Sequence, residues 1–209
     1  MIGQTVPSVP IERAGRFLRF RYEFVAPTPA EQARQRLQVY FTHLGYAPMA
    51  SADALVMRRG SLARSMLNWT PRKLAVELTA RFAPAAEGTA VEMTLQLNRT
   101  GHTIFEAERY LHAWELTQAE AYLRGEPVDF EAMERFEKRT LERSRISLAL
   151  ALAVSVPFGV LVVVLLRPLL TSWGIEGVPR GAILGGLVGG IVGAFLWLFN
   201  RKMLNPQNY

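Results

Sequence analysis

Hydrophobic and polar residues alternate in four stretches of the chain, residues 16–25, 52–61, 73–82 and 89–99. In the first stretch the hydrophobic residues of one parity are Leu18, Phe20, Tyr22 and Phe24. Such alternation places every second side chain on the same face of a strand. We therefore predict four strands, each with one buried hydrophobic face and one polar face.

Two other stretches, residues 28–45 and 102–125, have the hydrophobic spacing of an amphipathic helix. At the start of the first helix, Thr28 is a predicted N-cap and Glu31 its partner in a capping box, and Gly45 is a stop signal. The hydrophobic face of the second helix is formed by Ile104, Ala107, Leu111, Trp114 and Tyr122. The predicted order of elements is β-α-β-β-β-α.

This order predicts an α+β fold class for residues 1–127, a two-layer soluble domain built on an antiparallel sheet of about four strands. Each strand has only one hydrophobic face, so both helices are expected on that face of the sheet. Residues 128–145 mix acidic with basic side chains and are predicted to form a charged stalk helix, with Asp129 as its cap.

From residue 146 onward the chain is mostly apolar, and the charges up to residue 199 are Arg167, Glu176 and Arg180. A helix of about 20 apolar residues crosses the hydrocarbon core of a bilayer. We predict a two-helix transmembrane hairpin in residues 146–200, with spans at about 146–167 and 181–199. Residues 201–209 form a short C-terminal tail.

The second span carries two rows of small residues at a spacing of four. The predicted helix-packing residues are Gly181, Gly185, Gly186, Gly189, Gly190 and Gly193. Small residues on one helix face allow another helix to approach closely. Two occupants of this glycine-rich face are open at this stage: the first span of the same hairpin, or a helix from a second copy or another membrane protein.

Positive charge next to the spans predicts their orientation. The flanking residues on the side of the two long ends are Arg135, Lys138, Arg139, Arg143, Arg145, Arg201 and Lys202, against Arg167 and Arg180 in the link. Cytoplasmic segments are enriched in Lys and Arg. We therefore expect an integral, multi-pass membrane protein with two spans and both termini cytoplasmic, in a bacterial inner membrane.

The amino-acid composition excludes several kinds of functional site. The 209 residues include no cysteine, which excludes disulfides, thiolate metal sites and cysteine nucleophiles. The net charge of +6, from 24 basic and 18 acidic residues, reflects in part the charges beside the spans and is weak evidence for nucleic acid.

One group of titratable residues has a spacing that could support catalysis or metal binding. Glu108, His112 and Glu115 lie on one stripe of the second amphipathic helix. This stripe is turned away from the hydrophobic face, so we expect a solvated flank. No sequence motif indicates a catalytic residue, a metal site or a cofactor, and none of the three is expected.

The polar side of the predicted sheet is the candidate partner face. Its residues are Arg19, Arg21, Arg58, Glu77 and Arg81. They could form a merely solvated face, a protein-binding or dimerising face, or a patch for anionic lipid. Nucleic acid is not expected, because the outward positions lack the aromatic side chains that stack on bases.

These features favour a non-catalytic, membrane-anchored cytoplasmic interaction or scaffold module. Its expected partners are the lipid bilayer and a second copy or another membrane protein. The alternative is a small-ligand sensor or enzyme with a site between the sheet and the helices, lined by Tyr22, Trp69, Trp114 or Tyr122. An oligomeric pore is a third, weaker hypothesis, because the spans lack the intramembrane charges that transport sites use.

Overall fold

The structure is a computed structural model that describes residues 9–61, 74–100, 104, 106–175 and 177–203. The chain divides into two compact units, Met1–Lys138 and Arg139–Tyr209. Residues 62–73, for which the sequence pattern indicates a loop or short helix, lie outside the described residues, as does most of the predicted tail.

In its described residues, the first unit contains one antiparallel sheet of six strands in the order β1-β2-β6-β5-β4-β3. The strands are β1 Ile11–Ala14, β2 Phe17–Ala26, β3 Ala47–Met49, β4 Leu55–Arg59, β5 Val76–Ala85 and β6 Gly88–Asn98. The predicted α+β class and antiparallel sheet are confirmed. The predicted number of about four strands is wrong, because the two edge strands β1 and β3 were missed.

Both missed strands are too short to show alternation. β3 has three residues, all exposed, and includes Pro48, which is tolerated at a sheet edge because no partner strand needs its missing N–H. β1 has four residues and joins β2 through Gly15, whose φ of 57° suits a tight turn. Neither strand buries a hydrophobic face, so neither has the signal on which the prediction rested.

Within the described residues, four helices accompany the sheet: α1 Ala30–His43, α2 Glu106–Arg124, α3 Phe130–Ser172 and α4 Gly177–Met203. The predicted capping box of α1 is wrong. The N-cap is Pro29, without a side-chain cap, and the carbonyl of Thr28 accepts a hydrogen bond from the Thr89 hydroxyl at 2.7 Å. Other end signals are confirmed: Gly45 has a φ of 85°, and the Asp129 carboxylate accepts a hydrogen bond from the Ala132 amide at 2.7 Å.

The hydrophobic core lies on one face of this sheet. Its fully buried side chains include Leu18, Phe20, Met57, Leu78, Met93, Leu95 and Leu97, which come from four strands. Helices α1 and α2 pack with the sheet and with each other, and the Tyr40 hydroxyl of α1 donates to the Glu115 carbonyl of α2 at 2.8 Å.

The first turns of α3 belong to the same unit. The Phe136 ring packs on Tyr110 and Trp114 of α2, with centroid distances of 5.2 and 6.1 Å. Because the start of α3 covers a second side of α2, that helix is buried over more than the one face it turns to the sheet.

In the second unit, α3 and α4 are each long and apolar enough to cross a membrane. Many of their large apolar side chains are exposed, among them Leu165 at 63% and Val178 at 86%. The side of α3 that is buried carries Ala151, Ser155 and Gly159, four residues apart. An added Cβ at Gly159 would lie 3.1 Å from a methyl carbon of Val188, so α3 and α4 pack closely at this point.

Candidate functional site

The polar face of the sheet brings the predicted partner-face residues together. On this face Arg21 lies opposite Thr94, and Thr94 lies opposite Thr79 on its other side. The row on one side of Thr94 pairs Arg19 with Gln96, and the row on the other side pairs Arg81 with Glu92.

A groove runs over these rows, and we call it the arginine groove. It has a cavity volume of about 230 Å³ and is lined by Arg19, Arg21, Thr79, Arg81, Glu92, Thr94 and Gln96. Three strands contribute to it, β2, β6 and β5. Strand register therefore brings Arg81 of β5 near Arg19 and Arg21 of β2, although it is far from them in sequence.

The two remaining residues of the candidate face line a neighbouring depression. This depression has a volume of about 450 Å³ and includes Arg58 and Glu77, with Gln96 shared between it and the arginine groove. Arg58 and Glu77 face each other across β4 and β5 and form an ion pair at 2.7 Å. Their charges are thus compensated within the sheet.

The arginine groove differs in its electrostatics from this depression. Within the described part of the chain, the side chains of Arg19, Arg21 and Arg81 form no hydrogen bond or ion pair. The Nε of Arg19 is buried and has no acceptor there. The groove is therefore a positively charged surface whose donors are available for a ligand.

A second polar cluster lies inside the domain, between the sheet and α2. The side chains of Arg59 and Glu115 are 4% and 0% exposed. Arg59 donates two hydrogen bonds to the Glu115 carboxylate, at 2.8 and 3.1 Å, and one to the Leu44 carbonyl at 3.0 Å. The Tyr46 hydroxyl donates to Glu115 at 3.1 Å, and its ring lies 4.3 Å from the Arg59 guanidinium carbon.

The Glu115 carboxylate is also within 3.3 Å of the His112 Nδ1. Burial alone would raise the pKa of Glu115, but the Arg59 charge and the His112 hydrogen bond outweigh burial and hold that pKa well below its ordinary range. Burial would lower the pKa of Arg59, and the Glu115 charge instead keeps it above its ordinary value. Both groups remain charged and hold each other in place.

Our expectation of a solvated flank at Glu108, His112 and Glu115 is wrong. All three are buried, because α2 packs on the sheet with one side and on the start of α3 with another. A signal for this cluster is present in the sequence. Arg59 has the inward parity of Leu55 and Met57 in β4, and a charge on the inward face requires a buried partner.

The residues that would line a pocket between sheet and helices are engaged in packing. Tyr22 donates a hydrogen bond to Glu120, and burial together with this carboxylate raises the pKa of Tyr22 to about 12. The Tyr122 ring lies 5.3 Å from that of Tyr40, and Trp114 packs on Phe136. Trp69 lies outside the described residues.

Within the described residues, no group of three or more His, Asp or Glu side chains is arranged to hold a metal ion. The stripe on α2 is thus accounted for by the buried ion pair, which holds the helix to β4.

The six predicted helix-packing glycines of α4 face away from other described atoms. An added Cβ at any of them would meet nothing within 4 Å in the described chain beyond the helix itself. The half-buried residues on the other side of α4 include Leu184, Val188 and Ile191. The first of our two alternatives, packing of the glycine rows against the first span, is thus not what the structure shows.

The fold and these surfaces define the chain as an α+β domain followed by two apolar helices. No family model matches the chain, and no curated protein matches it. Solved structures resemble it weakly, among them three that each align with about two thirds of this chain.

CalU16 from Micromonospora echinospora is 10% identical, with a TM-score of 0.33 over 63% of this chain and 89% of its own. A conserved protein of unknown function, EF2215 from Enterococcus faecalis, is 10% identical, with a TM-score of 0.37 over 65% and 91%. The protein encoded by BPP1335 from Bordetella parapertussis is 13% identical, with a TM-score of 0.25 over 65% and 90%. Scores this low carry no argument about function.

Proposed function

We propose that this chain is a non-catalytic, membrane-anchored interaction module. In this proposal α3 and α4 anchor the domain in a bacterial inner membrane with both termini in the cytoplasm, and the polar sheet face binds a partner. The alternative, a ligand sensor or enzyme with its site between sheet and helices, has less support, because Tyr22, Trp114 and Tyr122 are engaged by other side chains of the domain.

The membrane anchor is supported by the exposure of apolar side chains on both long helices. A helix that belongs to a soluble core buries such side chains, whereas Leu165 and Val178 are mostly exposed. Lys and Arg next to the two long ends support a cytoplasmic location for both termini.

One observation carries the interaction role: three arginines share one groove without compensating partners. Elsewhere in the first unit, Arg58 and Arg59 on neighbouring β4 positions are both paired with carboxylates. A surface that served only solubility would gain from similar cross-strand pairs. The unpaired donors of the arginine groove favour a function in binding.

The open glycine rows favour a second site of association within the membrane. A second copy of the chain or another membrane protein could place a helix against them, as small residues permit. The bilayer itself, a second copy and another membrane protein are the partners that this module is proposed to have.

Site-specific photo-crosslinking in intact membranes tests the proposal. A photoreactive side chain replaces Gln96, which lies between the arginine groove and the neighbouring depression, and in a second variant Gly189 on the glycine face. The matched control replaces Val39, which is 59% exposed on α1 outside both surfaces.

We expect a discrete crosslinked product from Gln96 or Gly189 and none from Val39. The mass of the product distinguishes a second copy from another protein. Crosslinks of equal yield from all three positions, or from none, would contradict the interaction role.

A further inference from the structure

The residues of the arginine groove surround Thr94 on the polar face of the sheet. Arg21 and Thr79 flank this threonine in its own row, on either side. Arg19 lies one row away on β2, and Arg81 lies one row away in the opposite direction on β5. The three arginines therefore approach the position above Thr94 from three different sides.

The spacing of the sheet allows the three side chains to reach a common point. Alternate residues on a strand are about 7 Å apart, and strands separated by one neighbour are about 10 Å apart. The extended side chain of arginine can bridge such gaps, and all three arginines line the same cavity of about 230 Å³. This volume suits a single compact anionic group better than a peptide segment.

The charges and donors of the groove match a phosphoryl group. Three guanidinium groups against the single carboxylate of Glu92 leave an excess of positive charge close to the charge of a phosphate monoester near pH 7. Guanidinium forks bind phosphate oxygens in pairs, and threonine hydroxyls and the Gln96 amide are further donors. The buried Nε of Arg19 would gain an acceptor.

The residues of the first unit that the structure does not describe contain no competing carboxylate. Residues 1–8, 62–73, 101–103 and 105 contain no Asp or Glu. Glu23 shares the row of Glu92 and Arg81 at the end of the groove, but it does not line the cavity. The excess positive charge is therefore a property of the groove itself.

We propose that the arginine groove is a binding site for a phosphate monoester, with Arg19, Arg21 and Arg81 as its principal ligands. This inference rests on the proposed role of the sheet face and specifies the chemistry of its occupant. Two sources present that chemistry, a soluble phosphorylated metabolite and the monoester headgroup of a lipid.

Inorganic phosphate is the probe for a first test. The full-length chain, labelled with ¹⁵N in arginine, is kept in maltoside micelles, whose headgroups carry no phosphate. Side-chain Nε–H resonances are followed during titration with phosphate at constant ionic strength. We expect saturable shifts for the three groove arginines, with the largest change at Arg19, and little change at Arg58.

Variants distinguish a specific phosphate site from general electrostatic attraction to the positive surface. R19Q, R21Q and R81Q should each weaken phosphate binding about tenfold, the effect of losing one charge-assisted interaction. The matched control R58Q removes an arginine of the same face that already pairs with Glu77, and should change the Kd by less than about twofold. E92Q removes the negative charge of the groove and should tighten binding.

Equal weakening by R58Q and the groove variants, or no saturable shift with phosphate, would overturn the proposed site. Phosphatidic acid added to the micelles assigns the source, with phosphatidylglycerol as the diester control. Displacement of phosphate by the monoester lipid indicates a headgroup, and no displacement indicates a soluble ligand. If crosslinking at Gln96 succeeds while phosphate fails to bind, the interaction module stands and the phosphate chemistry fails.

Discussion

Replacing Arg59 by Met should destabilise the first unit more than any other single arginine substitution on β4. The variant keeps the volume of the side chain but removes both hydrogen bonds to Glu115 and the one to the Leu44 carbonyl. The Glu115 carboxylate would then stay buried, with Tyr46 and His112 still near it but without the charge that compensates its own.

The expected cost follows from this geometry. Removing one member of a buried ion pair costs about 3–5 kcal/mol, since the other charge remains desolvated. The side chains of Arg59 and Glu115 are almost fully buried, so screening by water reduces this cost little. A loss of this size is a large part of the stability of a typical domain, which is about 5–15 kcal/mol.

Two further variants separate the ion pair from simple loss of packing. The double variant R59M/E115L removes both charges and should be much less destabilised than the sum of the two single variants, because neither charge remains uncompensated. The matched control R58M lies one residue away, where the exposed pair with Glu77 should contribute less than about 1 kcal/mol.

Hydrogen exchange of the full chain in micelles measures these effects in the first unit alone. The slowest amides of β5 and β6, in the centre of the sheet, report the free energy of its opening. If the losses of free energy in R59M and E115L added up to the loss in the double variant, the view that this ion pair holds α2 to β4 would be refuted. Similar small losses of free energy in R59M and R58M would refute it as well.

Three other predictions use the same chain. The pKa of Glu115 is lower in the folded chain than its ordinary 4.5, so the stability that this carboxylate contributes is complete above pH 4.5 and is lost as the pH falls below it. The free energy of unfolding should therefore fall less steeply with acid in E115Q. An unchanged dependence on pH would contradict this. G88A should cost about 2 kcal/mol or more in thermal unfolding, because the added Cβ would lie 2.2 Å from the Ala26 carbonyl oxygen at a φ of 133°, whereas G125A, which meets nothing within 4 Å, should cost less. G159L should disrupt the α3–α4 contact at Val188, measured by cysteine crosslinking between the helices, while G189L should leave that contact intact and change only association between copies.

Alternation along the strands was sufficient to predict the centre of the sheet. Every second residue is buried in β6, and the same holds in β2 except at Tyr22, which is half-buried, so the sequence pattern reflects the packing directly. The edge strands β1 and β3 could not be predicted in this way, because they are held by backbone hydrogen bonds to one neighbour and bury no hydrophobic face. Their formation depends on the strands beside them rather than on their own side chains.

The candidate face was predictable by parity, but its division into two parts was not. Parity alone places Arg19, Arg21, Arg58 and Arg81 on the polar side. Which of them is compensated depends on register: Arg58 lies opposite Glu77, while Arg21 lies opposite Thr94. Register is fixed by the packing of the whole sheet, so a single sequence does not reveal it.

Arg58 and Arg59 show how the same physical rule separates structure from function. Adjacent residues of a strand face opposite sides, so one arginine must enter the core and the other must face solvent. The inward charge could be retained only with a buried carboxylate, and Glu115 meets that requirement. An outward charge has no such requirement, since water solvates it, and the pairing of Arg58 with Glu77 adds little to the stability of the domain. The arginines that remain unpaired, such as Arg21 beside Thr94, are therefore not needed for folding. For this reason the arginine groove is a better candidate for a binding function than the buried cluster.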